Sequence, residues 1–171
     1  MRADERGPAA RRRLGPGVKL RRHDLEDLMD WLPDATMDLA VMALVIHYVH
    51  DRVAALGELH RVLCPQGRLV ISTSHPTADW LTDDGGGGYF EARHVEEQWS
   101  GGFRHRLWRQ PLTRWCAEFT AAGFVIENLV EHQPTPQMAH HHPRQYATLS
   151  REPGFIAFRL AKAPAGPDTG A

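Results

Sequence analysis

The sequence is poor in cysteine: Cys64 and Cys116 are the only two, far apart and outside any metal-ligand spacing. That leaves no basis for a disulfide framework or a cysteine-held metal, and nothing implies an oxidising compartment. An excess of either charge is missing too. Acidic and basic residues nearly cancel, to a formal net charge of −1, which argues against a dedicated nucleic-acid partner. Arg11, Arg12, Arg13, Arg21 and Arg22 make the N-terminus locally basic, in the manner of a solvated helix end. No apolar h-region accompanies them, so no secretory signal is read there. The longest apolar stretch, Leu39 to Ile46, is far below the roughly 20 residues of a membrane span. A cytoplasmic chain with no membrane partner is the expectation.

What is present fits one globular domain. The apolar fraction of 42% and charged fraction of 24% are ordinary, and the length can bury a substantial core. Ala9 to Leu14 reads as a helix end stopped by Gly15-Pro16-Gly17, and Val18 to Arg22 as a short strand. Residues 23–33 mix Asp24, Glu26, Asp27 and Asp30 with apolar neighbours, which suits a loop with a short helical turn. Leu39 to Ile46 is apolar at every position, the pattern of a strand covered on both faces. Asp51 is an N-cap for a helix to about Leu63, with Val53, Leu56, Leu59, Val62 and Leu63 at helical spacing. Cys64-Pro65-Gln66-Gly67 ends it, and the strand Arg68 to Thr73 completes a parallel βαβ unit.

Residues 74–110 read as an insertion over one end of the sheet, with Gly101-Gly102 as a hairpin signal. Leu112 to Ala122 is an amphipathic helix ended by Gly123. Phe124 to Val130 and Phe155 to Leu160 are two further strands. The domain is expected over residues 1–162, with 163–171 a proline- and glycine-rich disordered tail.

Four stretches carry a resemblance: the acidic loop Arg22-His23-Asp24-Leu25-Glu26-Asp27; the strand Met37 to Met42 running into Leu44 to Val49; Glu58 to Gly67 followed by Arg68 to Ser72; and Ala121-Ala122-Gly123-Phe124. In this order and spacing the chain resembles the C-terminal part of the class I S-adenosylmethionine-dependent methyltransferases, of the type 11-like kind, over roughly residues 9–162. The resemblance implies an α/β, Rossmann-like sheet, truncated at its N-terminus, with an antiparallel final strand and a hairpin insertion. It implies S-adenosylmethionine as cofactor and a small-molecule methyl acceptor. Asp24 then stands where the family accepts from the adenine amino group, and Leu25 where a backbone amide meets the ring. Met42 and Ala43 stand where the fourth strand ends, against the methionine part of the cofactor.

The family's first strand and the glycine-rich loop that opens its first helix have no counterpart. A βαβ unit takes about 30 residues, more than precede Val18. Gly85 to Gly88 follow Asp83-Asp84 and do not run from a strand into a helix, so they read as a flexible lid tip. In the family the first strand lies beside the fourth, so its lack is expected to bare the apolar edge of Leu39 to Ile46 and to favour self-association. A misplaced start or a truncated gene would account for the gap.

Methyl transfer from a sulfonium is an in-line displacement, so positioning and desolvation dominate. A base is needed only when the acceptor must lose a proton. His47 and His75, each just after a strand, are the candidates, since imidazole titrates in the useful range. Trp80, Tyr89, Trp99 and Trp108 either wall an apolar acceptor pocket or simply pack a hairpin. His140-His141-His142 does not converge on one centre, so no metal site is expected. The rival to an active enzyme is a non-catalytic methyltransferase-like remnant or interaction protein.

Overall fold

The computed structural model describes residues 17–81, 87–98, 102 and 104–164. The expected helix end at Ala9 to Leu14, the glycines Gly85 and Gly86, Trp99, the side chain of Trp80 and the tail beyond Pro164 lie outside them.

The sheet is built around one parallel pair. Strand β1 (Met37–Ala43) leads through a single turn of 3₁₀-helix (Ile46–Tyr48) into helix α1 (Arg52–Val62), and the chain returns as β2 (Leu63–Ser74). β1 and β2 pair in parallel, with Ala40 opposite Leu69 and Met42 opposite Ile71. The helix starts where the sequence marks it, because the Asp51 side chain accepts from the Ala54 amide. Cys64-Pro65-Gln66-Gly67 does not end the helix as a separate turn. It lies within β2 as an irregularity, where the register passes from Met37 opposite Leu63 to Leu39 opposite Arg68. Gly67 is needed there: a Cβ on it would meet the Met37 carbonyl oxygen at 2.9 Å.

A short helix, α2 (Pro76–Leu81), follows β2, and β3 (Arg93–Gln98) and β4 (Arg104–Arg109) form a separate antiparallel hairpin. Helix α3 (Leu112–Ala121) leads to β5 (Phe124–Glu131); α4 (Pro136–His141) and α5 (Pro143–Leu149) precede β6 (Phe155–Lys162). The main sheet has the order β1-β2-β6-β5, and β6 runs antiparallel to both its neighbours. The antiparallel final strand and the hairpin insertion are thus as expected.

Helices α1 and α3 cover one face. Met42, Leu69, Ile71, Phe158 and Leu160 meet Leu56, Trp115 and Phe119 in a closed core. Each fully buried side chain of this size stabilises the fold by roughly 1.5–3 kcal/mol relative to exposure. The other face of β1 is bare: Leu39 and Val41 are 57% and 65% exposed. The run Leu39 to Ile46 is therefore not covered on both faces, because among the described residues no helix packs on that side and no strand lies along its outer edge. Val18 to Arg22 is not a strand either; alternation alone does not suffice without a partner to complete the ladder. No helix among the described residues is long and apolar enough to cross a membrane.

His60 closes the far end of the core against the Phe124 ring, 5.2 Å away, and against Gly123, which takes a φ of +86° after α3. Burial, helped by the nearby Lys162 charge, pushes the His60 imidazole below its ordinary value. The unfolded chain then takes up the proton first as pH falls, so the stability present above about pH 6.5 is lost on acidification. The melting midpoint should drop between about pH 7.5 and 5.5, and it should drop less in His60→Gln; equal slopes in both proteins would contradict this.

Candidate active site

The carboxyl ends of β1 and β2 are where an open α/β sheet offers a crevice. β1 is turned off its line at Leu44, which takes a φ of +52°, a left-handed conformation uncommon for a branched side chain. The Leu44 amide still bonds to Ser72, so the chain leaves the sheet and folds straight into the 3₁₀ turn. Between this turn and the acidic loop lies a cleft of about 410 Å³, lined by Arg22, His23, Asp24, Leu25, Glu26, Val45, Tyr48 and Val49. That volume lies within the range of small-ligand sites.

The acidic loop is held by its own turns and by α1. Asp24 caps a local turn, its Oδ1 accepting from the Glu26 amide at 3.1 Å, while its carbonyl accepts from the Asp27 amide. Glu26 takes the His50 amide and so joins the two walls of the cleft. Further on, Arg61 of α1 donates to the carbonyls of Met29 and Leu32, to Asp34 and to Glu58, and Glu58 in turn accepts from the Met29 amide. The Arg61 guanidinium holds the Glu58 carboxyl below its usual range, and the same pairing raises Arg61.

Of the residues singled out in the sequence, Asp24 and Leu25 line this cleft. Met42 is buried in the core and Ala43 lies exposed at the strand end; neither is on the lining. His47 is 5% exposed, with Nδ1 2.8 Å from the Thr73 hydroxyl, and its ring lies 4.2 Å from that of Tyr48. His75, also buried, accepts from the Thr77 amide at Nδ1. Its Nε2 lies 2.9 Å from Glu131, close enough for an ion pair but without the alignment of a hydrogen bond. Thr73, the partner of His47, and His75 lie two residues apart at the end of β2. Tyr89 meets the start of α3, its hydroxyl accepting from the Leu112 amide, and the Trp108 ring packs on His94 at 3.9 Å.

Known proteins agree with this architecture. A family model described as a methyltransferase domain matches residues 2–71. A Listeria monocytogenes protein described as an S-adenosylmethionine dependent methyltransferase superposes with a TM-score of 0.75 at 20% identity, covering 93% of this chain and 76% of that one. A Burkholderia thailandensis 1,6-didemethyltoxoflavin-N1-methyltransferase, solved with its acceptor and S-adenosylhomocysteine, superposes at 0.58 with 18% identity, over 95% and 58%. The chain shares the fold of these S-adenosylmethionine-dependent methyltransferases. A malonyl-[acyl-carrier protein] O-methyltransferase of Serratia marcescens is 48% identical over 42 residues, which span 25% of this chain and 16% of that relative.

The sequence did not single out Val45, Tyr48 and Val49 as cleft walls, nor the hold of α1 on the loop. Arg61 carried a signal, since it lies three residues after Glu58 on one helix face; its partners Met29, Leu32 and Asp34 are tertiary and left none.

Removing the arginine should free the loop without unfolding the core. In Arg61→Met, chymotrypsin should cut at Leu28, Trp31 or Leu32 several-fold faster, while the melting midpoint moves little, as for other partly exposed pairs. An unchanged cleavage rate would show that the loop is held by something else.

Proposed function

We propose that the chain is an S-adenosylmethionine-dependent methyltransferase domain acting on a small molecule, and that the cleft takes the adenosine end of the cofactor. The observation that carries this reading is the meeting of Asp24 and Leu25 with Val45, Tyr48 and Val49 around one space of about 410 Å³. Asp24 uses Oδ1 in its own turn, so Oδ2 faces the task of accepting an exocyclic N–H. Leu25 and Val45 offer apolar surface to a purine face, and the Leu25 backbone amide is a donor to the ring. The fit is to the adenosine end: among the described residues, no glycine-rich turn from a strand into a helix presents amides to a carboxylate. Met42 supports the end of β1 from the core, and Ala43 offers a small side chain where the methionine part would pass.

S-adenosylmethionine supplies, when bound, an electrophilic methyl group on a sulfonium. The protein's share is to orient the acceptor in line and to exclude water. For an acceptor that must lose a proton, His47 is the first candidate base: its Nδ1 bond to Thr73 fixes the ring, as a partnered imidazole requires. His75 is the second, oriented by Thr77. A non-catalytic interaction protein is the alternative, favoured by the bare apolar face of Leu39 and Val41 and the open edge of β1, which also suit self-association.

A thermal melt with S-adenosylhomocysteine tests the choice. A ligand at a hundredfold excess over its dissociation constant adds about 2.7 kcal/mol to the folded state, and the midpoint should rise. Asp24→Ala should weaken binding about tenfold, worth about 1.4 kcal/mol, and shrink the rise. A cooperative melt that does not move would favour the interaction protein.

A further inference from the structure

The strongest polar cluster outside the cleft lies under the hairpin. Arg52, the first residue of α1, is 5% exposed, and its guanidinium makes a two-pronged pair with Glu118 of α3, Nε to Oε2 and Nη2 to Oε1, both at 2.7 Å. Nη2 also donates to Gln110 Oε1 at 3.0 Å, and Nη1 to the Val49 carbonyl at 3.1 Å. Gln110 closes the ring by donating to Glu118 at 3.0 Å, and is itself 2% exposed. The guanidinium plane lies 5.0 Å from the Trp108 ring of β4 and 5.5 Å from Trp115 of α3.

One buried cation on α1 therefore touches three other pieces of chain: the loop that walls the cleft, the end of the hairpin, and α3. Burying an arginine is costly, and an apolar pair would serve stability as well. What an apolar pair would not supply is direction. The fork of the guanidinium fixes angles as well as distances, which is the use to which arginine is put where planar recognition matters.

We propose that Arg52 is a positioning residue that sets the β3–β4 hairpin and the Val49 loop over the carboxyl ends of β1 and β2, and so shapes the acceptor side of the site. This rests on the reading of the cleft as a methyltransferase site, but the holding of the hairpin can be measured without any ligand.

The experiment is amide hydrogen exchange on the full chain, wild type against Arg52→Lys, which keeps the charge and loses the fork. The amides of Val95, Leu107 and Val49 should exchange at least tenfold faster, while those of Ile71 and Leu160 in the core stay within twofold. A rise shared equally by the hairpin and the core would reduce Arg52 to a stabilising residue and overturn the proposal. No change anywhere would overturn it as well. If Arg52→Lys does not melt cooperatively, the double variant R52M/E118L removes both charges together and faces the same criteria. S-adenosylhomocysteine binding by the wild type is measured alongside. Its absence would contradict the proposed function and leave the exchange pattern to decide the part played by Arg52.

Discussion

The parallel ladder between β1 and β2 is the constraint on which the rest of the molecule depends. Two neighbouring strands that run the same way need a crossover, and α1 supplies it on the face where Met42, Leu69 and Ile71 lie. The same geometry brings both carboxyl ends to one side of the sheet, so the segments leaving them must turn there. Leu44 turns first, in a left-handed conformation; the cleft opens beside it, and His47 reaches Thr73 at the end of β2, two residues before His75. The site is thus a consequence of chain direction before it is a matter of particular side chains.

Helix α1 then fixes what surrounds the site, through an arginine near each end. Arg52 at the first turn reaches the hairpin and α3; Arg61 at the last turn reaches the acidic loop. Their environments differ. The Arg52 pair is almost enclosed, where a broken partner leaves a bare charge and the geometry is strict. Arg61 is partly wet, and its strength is in the number of carbonyls and carboxylates it gathers, not in any one pair. The acidic loop is accordingly the looser wall, and the 3₁₀-turn segment, which Arg52 holds at Val49, the stiffer one. A cleft with one yielding wall suits a cofactor that must enter and leave.

Much of this fold was legible because local and global signals agree. The Asp51 cap, the helical spacing from Val53 to Val62, and the strands at Arg68 and Phe155 are all written in periods and end signals that tertiary packing later satisfies. Asp24 and Leu25 were found by resemblance, and they lie on the cleft. The failures share a cause. Leu39 and Val41 look like buried strand residues because composition reports what a side chain prefers and not what covers it. Val18 to Arg22 alternates like a strand but finds no neighbour among the described residues. The Arg52–Glu118–Gln110 cluster joins residues up to 66 positions apart, and sequence spacing holds no trace of such a contact.

The central claim is that the cleft between the acidic loop and the 3₁₀ turn is where the adenosine end of the cofactor binds. The most direct test is a titration of the isotope-labelled chain with S-adenosylhomocysteine, following backbone amide resonances. The account predicts saturable shifts at Leu25, Glu26 and residues 45–49, with the core strands undisturbed. Shifts confined to Gln66, Arg68 and Lys162, which line the groove at the opposite end of the sheet, would contradict it, as would none at all.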